Sequence, residues 1–442
     1  MRARHGLFLG ALLLLAGLVI VGLRELLPSY ASYAGNIQPL RIIPSLTGGP
    51  EYCLTCHQGV EEISSAHPVE VFGCVTCHGG EPLSLDPDKA HQGLIGGRNP
   101  SDFAVVEQAC GGSDCHSGSP ENQRDHIARA LTSIQSTYAG AIAQVRFAFG
   151  AQPDQVAYYG IQAARDVEVI TDTGLLKLEA FDPVLLQDPE PVQSFAERCL
   201  TCHLYAEPIL EMGYHRLTGC SACHSPSNLT GTYVGEDPTI AREESGHAAQ
   251  HRLTIAIAYT QCNACHNRGN YNLVDMAFRP REDLPEGRSA PRLDEYYQPI
   301  AQFSLCEWEL DCVDCHTRME GMGDGDLHSN KSEIQYVQCK TCHGTLEQPP
   351  LTSIISDPND LAFRLAFLNP VIELQAGDTI LVTEKGEPLW NVVRGEDGGF
   401  ILVGKETGIA YDLPLVVGSD CEQKLDEQES RYCHACHAVE RP

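Results

Sequence analysis

Three stretches of the chain carry a hydrophobic pattern regular enough to predict an element. The first is an unbroken apolar run from Gly6 to Leu23, preceded by Arg2 and Arg4 and closed by Arg24-Glu25. Its eighteen residues reach across a bilayer at the short end of the usual range. The basic flank predicts that the chain beyond the run lies outside the cytoplasm. An uncleaved signal-anchor competes with a signal peptide cut after Ala34, at Ser32-x-Ala34. The anchor is favoured, because the run is long for a signal core and the cut lies well past its end. The second stretch, Ser119 to Gly150, predicts one helix with Ser119 as N-cap, Pro120 as first helical residue and Gly150 as stop. Ile127, Leu131, Ile134, Tyr138, Ile142, Val145 and Phe149 recur three or four apart and predict its packing face. The third stretch, about Val371 to Val417, changes to strand character. Thr379–Thr383, Leu389–Val393 and Phe400–Val403 are separated by turn signals at Lys385-Gly386 and Asp397-Gly-Gly399. These predict a small β-rich insert that covers a neighbouring site or docks a partner.

Composition adds a loop-rich character, with 40 Gly and 27 Pro in 442 residues. The formal net charge of -29 argues against nucleic acid and for basic partners or plain solubility. No Ser/His/Asp set, phosphate loop or nucleotide fingerprint stands out.

The chemistry lies in the cysteines. Cys53-x-x-Cys56-His57 and Cys74-x-x-Cys77-His78 taken alone fit either a zinc ribbon or haem attachment. The pattern then recurs as Cys199 and Cys202 with His203, Cys220 and Cys223 with His224, and Cys262 and Cys265 with His266. It recurs again as Cys312 and Cys315 with His316, Cys339 and Cys342 with His343, and Cys433 and Cys436 with His437. A further site, Cys110 and Cys115 with His116, has four residues between its cysteines. The nine sites use 18 of 20 cysteines, and histidine comes directly after the second cysteine every time. Zinc has no need of that regularity, since cysteine alone can complete its four ligands. A c-type haem does: two thiols take the vinyl groups and the adjacent histidine binds iron. The wider spacing leaves a disulfide or another metal open for the Cys110 site. Of the remaining cysteines, Cys306 and Cys421 are expected to form a disulfide in an exported compartment.

On these motifs, from Cys53 to His437, the chain resembles the multihaem cytochromes c. The resemblance implies nine covalently attached haems and electron transfer. With about 49 residues per site, the haems would supply much of the apolar interior. The expected fold is therefore mostly irregular and α-helical, wrapped round a haem chain, with the β-rich insert near the C-terminus.

The sites fall into three groups, each a close pair followed by a single site, which suggests an internal repeat. The expected divisions are an anchor at 1–34, a first haem module at 35–120, a helical spacer at 121–195 and a second module at 196–305. The first pair of the third module comes next at 306–350, then the β insert at 351–420 and the ninth site at 421–442. Beyond the nine motif histidines and His5, eight remain as candidate distal ligands: His67, His91, His126, His215, His247, His251, His328 and His434. Sorted by position, the third group has only His328 and His434 for three irons. Its odd iron would take Met319, Met322 or a histidine of another subunit, or stay open.

The leading expectation is a membrane-anchored electron carrier with mostly bis-histidine haems. Its partners would be redox proteins or membrane quinol oxidase and dehydrogenase components, with an oligomer possible. An enzyme with one open haem, in the style of the hydroxylamine oxidoreductases, tetrathionate reductases and nitrite reductases, is the main alternative. The chain departs from the nitrite reductases in having no motif that ends in lysine. An anchored quinol dehydrogenase and a polymerising extracellular cytochrome are further alternatives.

Overall fold

The computed structural model describes residues 38–112, 115–120, 123–165, 175–200, 203–206, 217–228, 230–263, 265, 271–272, 277–278, 304–334, 336–424, 427 and 429–438, with Leu15 isolated. The N-terminal apolar run (Leu15 apart), Cys202, His215 and His266 lie outside the described residues. Among the described residues no helix is long and apolar enough to cross a membrane.

Most attachment motifs coil into a single turn of helix, as at Val75–His78, Ser221–His224, Cys312–Cys315 and Cys339–His343. Glycine ends two of them. Gly79 has φ +68, and a Cβ there would lie 2.8 Å from the Gly93 carbonyl, so only glycine lets the chain turn away at that point.

The long helix expected over 119–150 is instead three: α1 (His126–Thr132), α2 (Ile134–Thr137) and α3 (Ala139–Ala148). Ser133 breaks the first junction with extended backbone, and Tyr138 breaks the second with a left-handed one. The side chains of Ser133 and Ser136 turn back onto the Ala130 carbonyl, and Thr137 bonds the Ser133 carbonyl. These local bonds compete with the helical ladder. The predicted stripe is thereby divided. Ile127 packs with Phe103 and Val106, whereas Ile142 packs with Phe195 and Cys199 on α4 (Glu190–Cys199). Gly150 still closes the last turn, with φ +72. Next to α3 lies a small sheet of β1 (Tyr159–Gly160), β2 (Ala164–Arg165) and β3 (Lys177–Ala180), with β3 in the middle.

The C-terminal strands form a five-stranded antiparallel meander in chain order: β4 (Thr352–Ile354), β5 (Thr379–Val382), β6 (Pro388–Arg394), β7 (Phe400–Val403) and β8 (Ala410–Leu413). Side chains alternate across a strand. Leu381, Leu389, Phe400 and Leu402 point one way, towards Leu310 and Cys342. Ile380 and Trp390 point the other way, onto Ala362 and Ala366 of α5 (Leu361–Leu368). Both faces are covered, which is why the strands read as nearly continuous apolar runs. Each fully buried aliphatic side chain such as Leu381 contributes about 2 kcal/mol of burial.

Candidate functional site: a chain of histidine-bearing motifs

The attachment motifs succeed one another through the molecule. Cys53 and Cys74 are in side-chain contact, which lowers the Cys53 thiol and raises that of Cys74. Burial, then Cys77 and Cys115, push Cys110 up to about 11. Burial, then Cys110 and Cys223, push Cys220 up to about 12. Cys262 touches Cys312 and is raised by that contact first. Cys315 lies within electrostatic reach of Cys342, and Cys339 within reach of Cys433. The thiols thus link sites one, two, three, five, six, seven, eight and nine in order. Site four adjoins this line where Leu204 and Tyr205 pack beside Cys110 and Cys220.

In site six Cys265 is half-buried; its N–H donates to the Cys262 carbonyl at 3.1 Å, and its thiol acts on Cys262 of its own motif. In site nine Cys436 is exposed near the end of the Ser430–His437 helix, as is His437 beside it.

Four lone histidines face motif histidines. His91 stands across from His57 with ring centroids 6.1 Å apart, and His251 across from His78 at 5.9 Å. His116 has two such neighbours, His67 at 5.9 Å and His126 at 5.4 Å. Two imidazoles bound in line to one metal, at about 2 Å per bond, place their centroids about 6 Å apart. Burial, helped by neighbouring His251 and His57, lowers His78 to about 4, and burial with His116 lowers His126 to about 4. His67, His116 and His224 are lowered by burial as well. All five therefore favour the neutral form that metal ligation requires.

Hydrogen bonds select the tautomer. Nδ1 of His224 meets the Thr254 carbonyl at 2.8 Å, and that of His343 the Pro414 carbonyl at 2.7 Å. His251 Nδ1 meets the Glu61 carbonyl at 2.9 Å. His57 Nδ1 meets the Asp237 carboxylate at 2.7 Å, and His316 Nδ1 the Glu320 carboxylate at 3.1 Å. Carbonyls and carboxylates only accept, so in these five histidines Nδ1 carries the proton, and in the neutral ring the lone pair lies on Nε2; Glu320 raises His316 against its burial. Anchoring one ring nitrogen in this way is how ligating histidines are usually oriented.

Other candidates are held differently. His328, almost fully buried, places Nε2 2.9 Å from Asp324, and His434 places Nε2 2.9 Å from Glu307. Arg98 donates to Nε2 of His247 at 3.1 Å. In all three Nε2 is taken by the protein, while Nδ1 of His328 is buried without a hydrogen-bond partner. In site four the Tyr205 N–H donates to Nδ1 of His203 at 3.2 Å, opposite to the pattern above.

Position in sequence sorts these residues differently. It puts His67 beside site one or two, whereas His67 lies at site three; it puts His251 in the second group, whereas His251 lies at site two. The cause is a return of the 231–254 segment onto 57–63. Glu61 accepts from Tyr233 Oη at 2.8 Å, from Glu236 N at 2.8 Å and from His251 N at 3.1 Å. Leu253 N adds a bond to the Ile63 carbonyl at 2.7 Å. Sequence reasoning misses Asp237, Glu320 and Glu61. Glu320 has a signal, four residues after His316 on a helical spacing. Asp237 has none, lying 180 residues from His57.

The β insert closes over sites seven and eight. Lys405 donates from its backbone to Asp314 at 2.7 Å and from Nζ to the Val313 carbonyl at 2.6 Å. Tyr336 Oη donates to Glu387 at 2.7 Å, and Val416 N to the His343 carbonyl at 2.9 Å. This contact places the insert as a cover over the motif pair. Cys306 and Cys421, expected as a disulfide, are instead both free thiols. Cys306 is exposed on the Leu305–Glu309 helix, within electrostatic reach of Cys315, Cys339 and Cys342. Met319 and Met322 sit on the Arg318–Met322 helix just after His316.

Glu51, Cys53 and Cys74 also form a cluster whose ligand atoms lie within 4.8 Å of one another, a donor set that suits a soft divalent metal. Their placement is equally that of two attachment thiols with a buried carboxylate accepting Cys74 N at 2.7 Å. The paired imidazoles and the thiols brought together motif by motif are donors that a covalently held haem would use, and thiolate and imidazole are zinc ligands as well. Compared with protein-family models, curated proteins and solved structures, the chain matches none.

Proposed function

We propose that the chain is a nonahaem c-type cytochrome that passes electrons along a line of mostly bis-histidine haems, anchored by its N-terminal run with the haem-bearing part outside the cytoplasm. The observation that carries this reading is the placement of His91, His251, and His67 with His126, opposite His57, His78 and His116 at 5.4–6.1 Å. The haem iron would supply one-electron chemistry, cycling between two oxidation states.

The residues have definite tasks in this reading. The motif thiols, Cys265 and Cys436 among them, would attach each haem. His57, His78 and His116 would ligate iron at sites one to three, and His91, His251, and His67 or His126 would be the second ligands, a set that supports electron transfer rather than substrate binding. The carbonyls of Thr254 and Pro414 keep Nδ1 of His224 and His343 protonated, so that Nε2 stays a ligand. The contacts between successive motif thiols would set the path, and the β insert packs against sites seven and eight. The acidic surface favours basic redox partners.

A second reading has one observation in its favour. His328 and His434 both turn Nε2 to carboxylates, so neither lone histidine of the third group presents Nε2 to a metal. An oxidoreductase with an open iron there is the runner-up. The test is covalent haem per chain, from intact mass and haem absorbance of the purified protein. Nine haems per chain support the cytochrome reading; eight would assign the wide-spaced Cys110 site another role; none would overturn it.

A further inference from the structure

The motif histidines whose Nδ1 donates to a resolved partner fall into two kinds. His224 and His343 give their proton to neutral backbone carbonyls, those of Thr254 and Pro414. His57 and His316 give theirs to carboxylates, Asp237 and Glu320.

Both carboxylates are built in. Asp237 is 1% exposed; its other oxygen accepts from Thr239 N at 2.8 Å and Thr239 Oγ1 at 2.7 Å. Glu320 is 5% exposed and caps its own helix, accepting from Thr317 N at 3.2 Å. It accepts also from Tyr336 N and Val337 N, both at 2.9 Å. With these bonds each carboxylate is fixed in place behind its histidine.

A carboxylate on Nδ1 draws the proton away from the ring and makes Nε2 a stronger donor. A fixed buried anion also favours the more positive, oxidised state of a metal nearby. Resting on the cytochrome reading, we infer that Asp237 and Glu320 are positioning residues that hold sites one and seven at lower reduction potential than the carbonyl-bonded sites five and eight. For site one the determinant comes from the second group of motifs, so the return of the 231–254 segment sets a potential as well as a fold.

The test is an optical potentiometric titration of the full-length holoprotein, wild type against Asp237→Ala. Thr239 Oγ1 already lies 3.0 Å from His57 Nδ1 and can accept in place of the carboxylate. The expected result is unchanged haem content with one component shifted at least tenfold toward the reduced form at fixed potential, about 59 mV for a one-electron couple. Asp237→Glu, which keeps the charge, is expected to restore most of the wild-type position. Should Asp237→Ala lose haem, Asp237→Ser offers a neutral acceptor and the same two outcomes. An unshifted titration with full haem content would overturn the inference and leave the cytochrome reading intact. A wild-type protein without covalent haem would overturn the reading itself.

Discussion

Sites one to three and sites seven to nine carry the same motif but treat their spare histidines in opposite ways. In the first region, lone imidazoles face motif imidazoles, and the carboxylates of Glu61 and Asp237 act from behind on backbone and on Nδ1. In the last, His328 and His434 are drawn onto Asp324 and Glu307 by Nε2, and the protein's effort goes into a β cover. In the proposed reading each motif would specify where a haem is fastened, while the second histidine would depend on what a distant segment brings.

The largest expected effect breaks this contrast directly. His251→Ala removes the imidazole facing His78 and is expected to convert one low-spin haem per chain into a high-spin, CO-binding one, read by EPR and CO titration. His328→Ala and His434→Ala are expected to leave the number of CO-binding haems unchanged. An equal gain in all three variants would erase the distinction between the regions.

Next is the cover. Lys405→Met removes the Nζ bond to the Val313 carbonyl and leaves that buried acceptor without its donor, while the backbone bond to Asp314 stays. Losing a buried hydrogen bond in this way costs about 1–3 kcal/mol. Thermal unfolding should show that loss in the C-terminal region, with the spectra of sites one to three unaltered. A smaller effect sharpens the first region: Tyr233→Phe removes the bond to Glu61 and the acceptor for Asp237 N at 3.0 Å. It should cost about 1–2 kcal/mol in denaturant unfolding.

The smallest effect is acid sensitivity. Hydrogen bonds outweigh burial and lower Glu61, and the same balance, with His328, lowers Asp324. A depressed carboxylate stabilises the fold above its unfolded value, and that contribution is lost as pH falls through the folded one. Stability should hold at neutral pH and decline below about pH 4, at the lower edge of the usual carboxylate range.

The motifs themselves are fully legible in the sequence, because each is cysteine and histidine at fixed local spacing. That Cys262 meets Cys312 of the next site is not, being a matter of how the chain is packed. The strands near 379–403 are legible too, since the apolar runs and the Gly386 and Gly398 turns are local signals. Hydrophobic spacing misreads the helix over 119–150 because Ser133 and Ser136 bond the backbone, a competition that such spacing does not register. The partners of His57 and His78 are not legible. Asp237 and His251 arrive through a chain return held by Glu61 and Tyr233, and nothing in the neighbourhood of Cys53 announces it. Candidate distal histidines can be counted from the sequence, but which nitrogen each one presents depends on carbonyls and carboxylates far along the chain.

The most direct test of the facing pairs is the low-temperature EPR spectrum of the ferric protein, wild type and His91→Ala, with covalent haem counted in each sample. The account predicts the same haem count in both and one low-spin signal turned high-spin in the variant, because His91 faces His57 at 6.1 Å. Full haem content with a spectrum indifferent to the loss of His91 would contradict it.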